Sequence, residues 1–223
     1  MSLYLSQVSL ARSPSAQALA PLLMPSAEGL RRSAAHNLLW SLFADGTDRR
    51  RDFLWREEAA GKFLVLSARA PLQTDLFTQH RIKPFAPALT EGTKLEFSLR
   101  ANATRMKRGG ARVDVVMDAL HTLPKDARAE ERMALAQTEG MAWLSRQGEK
   151  AGFKLLQAQA EDYSVEVLEG HRGPRKGQPQ FGILDLTGHI EITDPAAFLA
   201  QVSQGFGRAK AFGCGLMLIR RAP

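Results

Sequence analysis

The spacing of apolar residues along this chain changes period several times, and each change marks an element. Tyr4 to Leu10 alternates apolar and polar positions and predicts a strand. Pro14, Pro21 and Pro25 punctuate the next stretch, which predicts a loop or broken turn over 12–26. The period then becomes helical. Leu30, Ala34, Leu38 and Leu42 form an i, i+4 row on a helix over about 27–43, with Ser26 placed to cap it and Asp45-Gly46 to stop it. Arg49-Arg50-Arg51 follows in the turn. Asp52 to Arg56 and Phe63 to Ala68 predict strands, and Leu72 to Gln79 a short helix ahead of Pro84 and Pro87. Lys94 to Arg100 alternates strictly, with Leu95, Phe97 and Leu99 set against polar neighbours, as in a half-buried strand. The order is β-α-β-β-α-β, the ferredoxin-like pattern.

Beyond Gly109-Gly110 a similar order restarts. Val113 to Val116 predicts a strand, and Ala129 to Gln147 a helix with Met133, Ala136, Gly140, Trp143 and Leu144 near helical spacing. Extended runs follow at 153–156, 163–168 and 181–193. Asp194-Pro195 opens a helix, aspartate at the cap and proline in the first turn, and Leu216 to Ile219 closes the chain as a strand. The expected class is α+β, two βαββαβ halves divided as 1–122 and 123–223.

A hydrophobic fraction of 44% and a charged fraction of 24% are those of a globular protein and exclude general disorder. No apolar run approaches the ~20 residues of a membrane span, and no signal-peptide layout is present, so no membrane association and a cytoplasmic location are expected. One cysteine, Cys214, excludes an internal disulfide and a thiolate-cluster metal site. His80, His121, His171 and His189 have no ligand spacing, and the 23 acidic residues are dispersed, so neither metal nor cofactor is expected.

The net charge of +7 is concentrated. Arg100, Arg105, Lys107, Arg108 and Arg112 lie in one acid-free segment, and Arg208, Lys210, Arg220 and Arg221 in another. Such segments on a nearly neutral background suggest a surface for a polyanion, nucleic acid before membrane, since neither reads as an amphipathic helix. The second segment contains Gly205, Gly207, Gly213 and Gly215. Its glycines could bring backbone N–H groups close to a phosphate, or could simply connect the last helix and strand; the spacing is neither a Walker loop nor a dinucleotide fingerprint.

This C-terminal segment, Gly205-Phe206-Gly207-Arg208-Ala209-Lys210-Ala211-Phe212-Gly213-Cys214-Gly215, resembles the glycine-rich loop of the CasE family, the CRISPR repeat-RNA endoribonucleases of type I-E systems. Further resemblances occur in family order: Tyr4-Leu5-Ser6-Gln7-Val8 in the opening strand, His36-Asn37-Leu38-Leu39-Trp40 in the histidine-bearing helix, Arg51-Asp52-Phe53-Leu54-Trp55 in the next strand, Arg100-Ala101-Asn102, and Ala142-Trp143-Leu144. The resemblance implies two tandem ferredoxin-like domains, the first carrying the catalytic histidine and the second a basic hairpin and the glycine-rich loop. It implies binding of a precursor CRISPR RNA hairpin and metal-independent cleavage at its 3′ base by 2′-hydroxyl attack. The product would stay bound in the Cascade complex, making CRISPR RNA and the other Cascade subunits the partners.

Position maps the family's histidine onto His36, whose imidazole suits proton transfer near neutrality. On the helix it lies about 200° from both Ala34 and Leu38, turned away from that row. Ser33 stands where the family often carries a tyrosine; its shorter side chain could bond the phosphate, act through water, or have no essential role. Arg32, Arg208 and Lys210 are candidates to stabilise phosphorane charge. Arg172, Arg175 and Lys176, in the basic loop 171–177, are candidates for the RNA stem, and Arg100, Arg105, Lys107, Arg108 and Arg112 for phosphates. A non-catalytic RNA-binding module of the same fold, or a scaffold whose basic surface meets acidic protein, are the alternatives.

Overall fold

A computed structural model describes residues 3–46, 51–168 and 180–222. The chain divides into two compact units, the first comprising Met1–Pro87, Val167–Pro179 and Lys210–Gly213, the second Ala88–Glu166, Gln180–Ala209 and Cys214–Pro223.

The first unit contains β1 (Tyr4–Ser9), α1 (Pro14–Ala18), α2 (Ala20–Leu23), α3 (Glu28–Trp40), β2 (Phe53–Ala59), β3 (Lys62–Ser67) and β4 (Arg81–Pro84). Its antiparallel sheet has the order β2-β3-β1-β4, with Val8 opposite Phe63 and Trp55 opposite Val65. The 12–26 stretch is two one-turn helices rather than a loop. Ser13 caps the first by accepting from Ala16 N at 3.3 Å, and Pro14 and Pro21 occupy first-turn positions where a missing N–H costs nothing. Ser26 does not cap α3; Ala27 precedes it without a side-chain cap. The buried stripe is Ala35, Leu38, Leu39 and Leu42, whereas Leu30 is 42% exposed. An i, i+4 row rotates about 40° per step, so the row from Leu30 to Leu42 winds off the face that meets the sheet. That face packs on Val8, Phe53, Trp55, Phe63 and Val65.

Leu72 to Gln79 is irregular instead of helical. Gln73 donates to the carbonyls of Phe77 and Thr78 and accepts from His80 N, so its side chain satisfies the backbone in place of a helix ladder. Phe77 inserts into the core. The fourth strand of this sheet is Arg81–Pro84, not Lys94 to Arg100. All four of its residues are exposed, so no alternation marks it, and its proline suits an edge.

The second unit runs β5 (Lys94–Ala101), the hairpin β6 (Thr104–Met106) and β7 (Arg112–Asp114), α4 (Val115–Leu120), α5 (Arg128–Ala151), β8 (Phe153–Val167), β9 (Gln180–Ile192), α6 (Pro195–Gln204) and β10 (Met217–Arg221). Its main sheet has the order β10-β5-β9-β8. Both sheets therefore place the fourth strand beside the first and the third between the first and second. This is the ferredoxin-like arrangement, twice, in an α+β protein. Val115 and Val116, expected in a strand, begin α4 because the Asp114 carboxylate accepts from Val116 N and Met117 N, each at 3.0 Å. Asp194 caps α6 in the same way. Among the described residues no helix is long and apolar enough to cross a membrane.

Candidate functional site

His36 lies on α3 about 100° from Ala35 and 60° from Leu39, on the margin of the buried stripe. It is half-buried rather than turned fully outward. Its ring stacks on Phe53 of β2 (centroids 6.2 Å apart, planes at 29°) and tilts against Trp40 (6.2 Å, 38°). Nδ1 is buried with no hydrogen-bond partner among the described residues. Burial lowers the imidazole pKa below its ordinary value, and the positive charge of Arg51 lowers it further, so the ring is neutral at neutral pH. Sequence reasoning passed over Arg51 as a site residue; the signals present were the arginine run in the turn and the position two residues before Phe53. Its guanidinium is partly buried, and Nη1 is buried without a hydrogen-bond partner among the described residues.

Other charged groups on the elements packed here are engaged. Arg31 pairs with Glu57 at 2.8 Å, and Arg32 Nη1 donates to the Phe212 carbonyl at 3.2 Å. That carbonyl belongs to a 3-10 turn, Lys210–Phe212, which packs on α3 and β2 and carries Lys210. Gly213 ends the turn at φ +80°, where a Cβ would lie 3.0 Å from the Trp55 ring, so only glycine lets the segment lie on that indole. Ser33 lies one helical turn before His36 and is partly buried. The first unit thus gathers His36, Ser33, Arg32, Lys210 and the unanticipated Arg51.

Gly205, Gly207, Arg208 and Gly215, with Arg100, Arg105, Lys107, Arg108 and Arg112, belong to the second unit. Gly207 (φ +71°) passes so close to the residue after β5 that a Cβ would sit 2.6 Å from Asn102 O. That carbonyl accepts from Arg208 N at 3.1 Å, leaving the Arg208 side chain exposed. Gly205 N donates to Gln201 O, Phe206 N to Gly215 O, and Gly215 N to Arg100 O. These amides are committed inside the protein. Asn102 is buried and donates to Gly182 O at 2.8 Å and to the Asp114 carboxylate at 3.3 Å. Asp114 also accepts from Tyr163 Oη at 2.9 Å, and burial raises the pKa of both groups.

Arg100 forks onto Asp185 with contacts of 2.9 and 2.8 Å. Arg105 bonds Asp118 and Glu139, and Lys107 pairs with Asp118. Arg108 and Arg112 are exposed, with no ion pair among the described residues. Arg172, Arg175 and Lys176 lie outside the described residues. Among the described residues, no group of three or more His, Cys, Asp or Glu is placed to hold a metal ion.

A family model described as "CRISPR associated protein" matches residues 3–221. The CRISPR-associated endoribonuclease Cse3 of Thermus thermophilus is 34% identical over 146 residues, 61% of this chain and 60% of that protein, so this alignment spans under two thirds of Cse3. The Cascade subunit CasE of Escherichia coli is 29% identical over 192 residues, 82% of this chain and 88% of that one. A solved structure of Cse3 bound to 19 nt RNA matches over 100% of both chains, with TM-score 0.70 and 26% identity. With its fold, its histidine-bearing helix and this match along nearly its whole length, the chain belongs to the CRISPR-associated protein family that includes Cse3 and CasE.

Proposed function

We propose that this protein is an endoribonuclease that binds the repeat hairpin of precursor CRISPR RNA, cuts at its 3′ base, and stays on the mature CRISPR RNA as a subunit of the type I-E surveillance complex. The names of its relatives support this reading: one is an endoribonuclease, the other a Cascade subunit. The observation that carries the chemistry is the neutral, half-buried imidazole of His36 beside the cation of Arg51.

A neutral imidazole can accept the proton of the 2′-hydroxyl next to the scissile phosphate. The resulting alkoxide attacks phosphorus, the bond to the 5′-oxygen breaks, and the proton is returned to that oxygen. The products are a 2′,3′-cyclic phosphate and a 5′-hydroxyl, with no bond made to a metal. Arg32 and Lys210 supply positive charge on the elements that hold His36, and Ser33 is within one helical turn to bond the phosphate or a water. Arg208, Arg108 and Arg112, with Arg172, Arg175 and Lys176, bind phosphates of the stem; Arg100, Arg105 and Lys107 exchange or share their carboxylate partners to do so.

The test is cleavage of the cognate repeat hairpin by stoichiometric protein in EDTA, with the ends mapped. A 2′,3′-cyclic phosphate end is expected. His36→Ala should slow cleavage by about 10²-fold or more, the usual scale of general acid–base catalysis, with hairpin affinity unchanged. RNA left intact by the wild-type protein but bound tightly would leave the non-catalytic RNA-binding module; weak, unselective binding would leave the scaffold.

A further inference from the structure

Arg51 stands out among the cations of the first unit. The carboxylate next to it in the chain, Asp52, is bound by Arg69 through contacts of 2.7 and 3.3 Å, and Arg69 also holds Asp45. Arg31 has Glu57 as its partner, and Arg32 is anchored on the Phe212 carbonyl. Arg51 has no carboxylate partner among the described residues, and one arm of its guanidinium is buried without an acceptor. A partly desolvated guanidinium without a counter-ion is costly, and it does not escape by losing its proton, because arginine stays charged. Two residues along, the Phe53 ring stacks on His36, so the segment carrying this cation leads directly into the strand that holds the imidazole from one side. A planar guanidinium offers paired N–H donors to the oxygens of a phosphate.

We propose that Arg51 is a catalytic residue, its guanidinium binding the non-bridging oxygens of the scissile phosphate beside the imidazole of His36. This rests on the nuclease reading above and adds to it the group that meets charge on the phosphorane. The Phe53–Trp40–His36 ring cluster fixes the imidazole, and Arg51 fixes phosphorus relative to it. Charge that grows on the oxygens during attack is then met by a donor already in place and shielded from water, where it acts most strongly.

The experiment is single-turnover cleavage of the cognate hairpin at saturating protein, comparing wild type, Arg51→Gln and Arg51→Lys. Each is run with natural RNA and with RNA carrying sulfur in place of either non-bridging oxygen of the scissile phosphate. Arg51→Gln should lower the rate about 10²- to 10³-fold, the scale of losing one oxyanion donor, with hairpin affinity within about three-fold of wild type. Arg51→Lys should recover part of the rate. Sulfur at the oxygen that Arg51 binds should slow the wild-type protein and have little further effect on Arg51→Gln.

Should Arg51→Gln fail to fold, the sulfur effect in Arg51→Lys decides, because a lysine that contacts the same oxygen less well must show a smaller one. Equal sulfur effects in wild type and variant, or an Arg51→Gln rate within three-fold of wild type, overturn the inference. If His36→Ala is inactive in the same assay, only this inference falls; if His36→Ala is fully active, the assignment of His36 falls with it, and only RNA left intact by the wild-type protein removes the nuclease reading.

Discussion

Replacing Gly207 by alanine tests whether the glycine-rich segment is built by close approach to the backbone of Asn102, just past β5. Gly207 has φ +71°, and its added Cβ would lie 2.6 Å from the Asn102 carbonyl oxygen, closer than real contacts allow. Gly109 is the control, because it also has positive φ (+98°) but nothing within 4 Å of an added Cβ. Both substitutions carry the backbone cost of an L-residue at positive φ, about 1–2 kcal/mol. Only at Gly207 must a carbonyl also move, and that carbonyl accepts from Arg208 N at 3.1 Å. Weakening this bond adds about 1–3 kcal/mol. At about 2–4 °C per kcal/mol for a chain of this size, and about 2 kcal/mol of difference, Gly207→Ala should melt about 4–8 °C below Gly109→Ala. Thermal unfolding followed by far-ultraviolet circular dichroism reads the difference. Coincident melting curves for the two variants would refute the close-approach argument and return the segment to an unconstrained connection.

Two further outcomes follow from the titrating groups. Because burial and Arg51 hold the His36 pKa below 6.5, and the base must be unprotonated, the acid limb of kcat/KM for hairpin cleavage should be centred below pH 6.5; an acid limb centred above 6.5 would contradict this. Tyr163→Phe removes a donor from the buried Asp114 carboxylate and should destabilise the protein by about 1–3 kcal/mol in urea unfolding. The Asp114 pKa is already raised, so its folded form favours the proton; the loss should be largest at pH 7 and shrink as acid protonates the carboxyl.

Much of this protein is written locally. The alternation from Lys94 to Arg100 and the Asp194-Pro195 cap became β5 and α6 as read, since one buried face or one capped helix end depends on a few consecutive residues. The ferredoxin-like class was legible in the order of elements, but not the share of each unit: Lys94–Ala101, read as the last strand of the first half, is the first strand of the second sheet. What the chain could not announce were relations between distant segments. Arg81–Pro84 carries no apolar period, and becomes a strand only because the free edge of β1 pairs with it. Arg100 looked like an unopposed cation until folding brought Asp185, 85 residues away, into a forked pair with it. The juxtaposition of Arg51 with His36 likewise exists only because β2 packs on the face of α3. Periodicity records which side of a segment is buried; pairing of charges and approach of strands depend on which segments meet, and that is settled by packing of the whole.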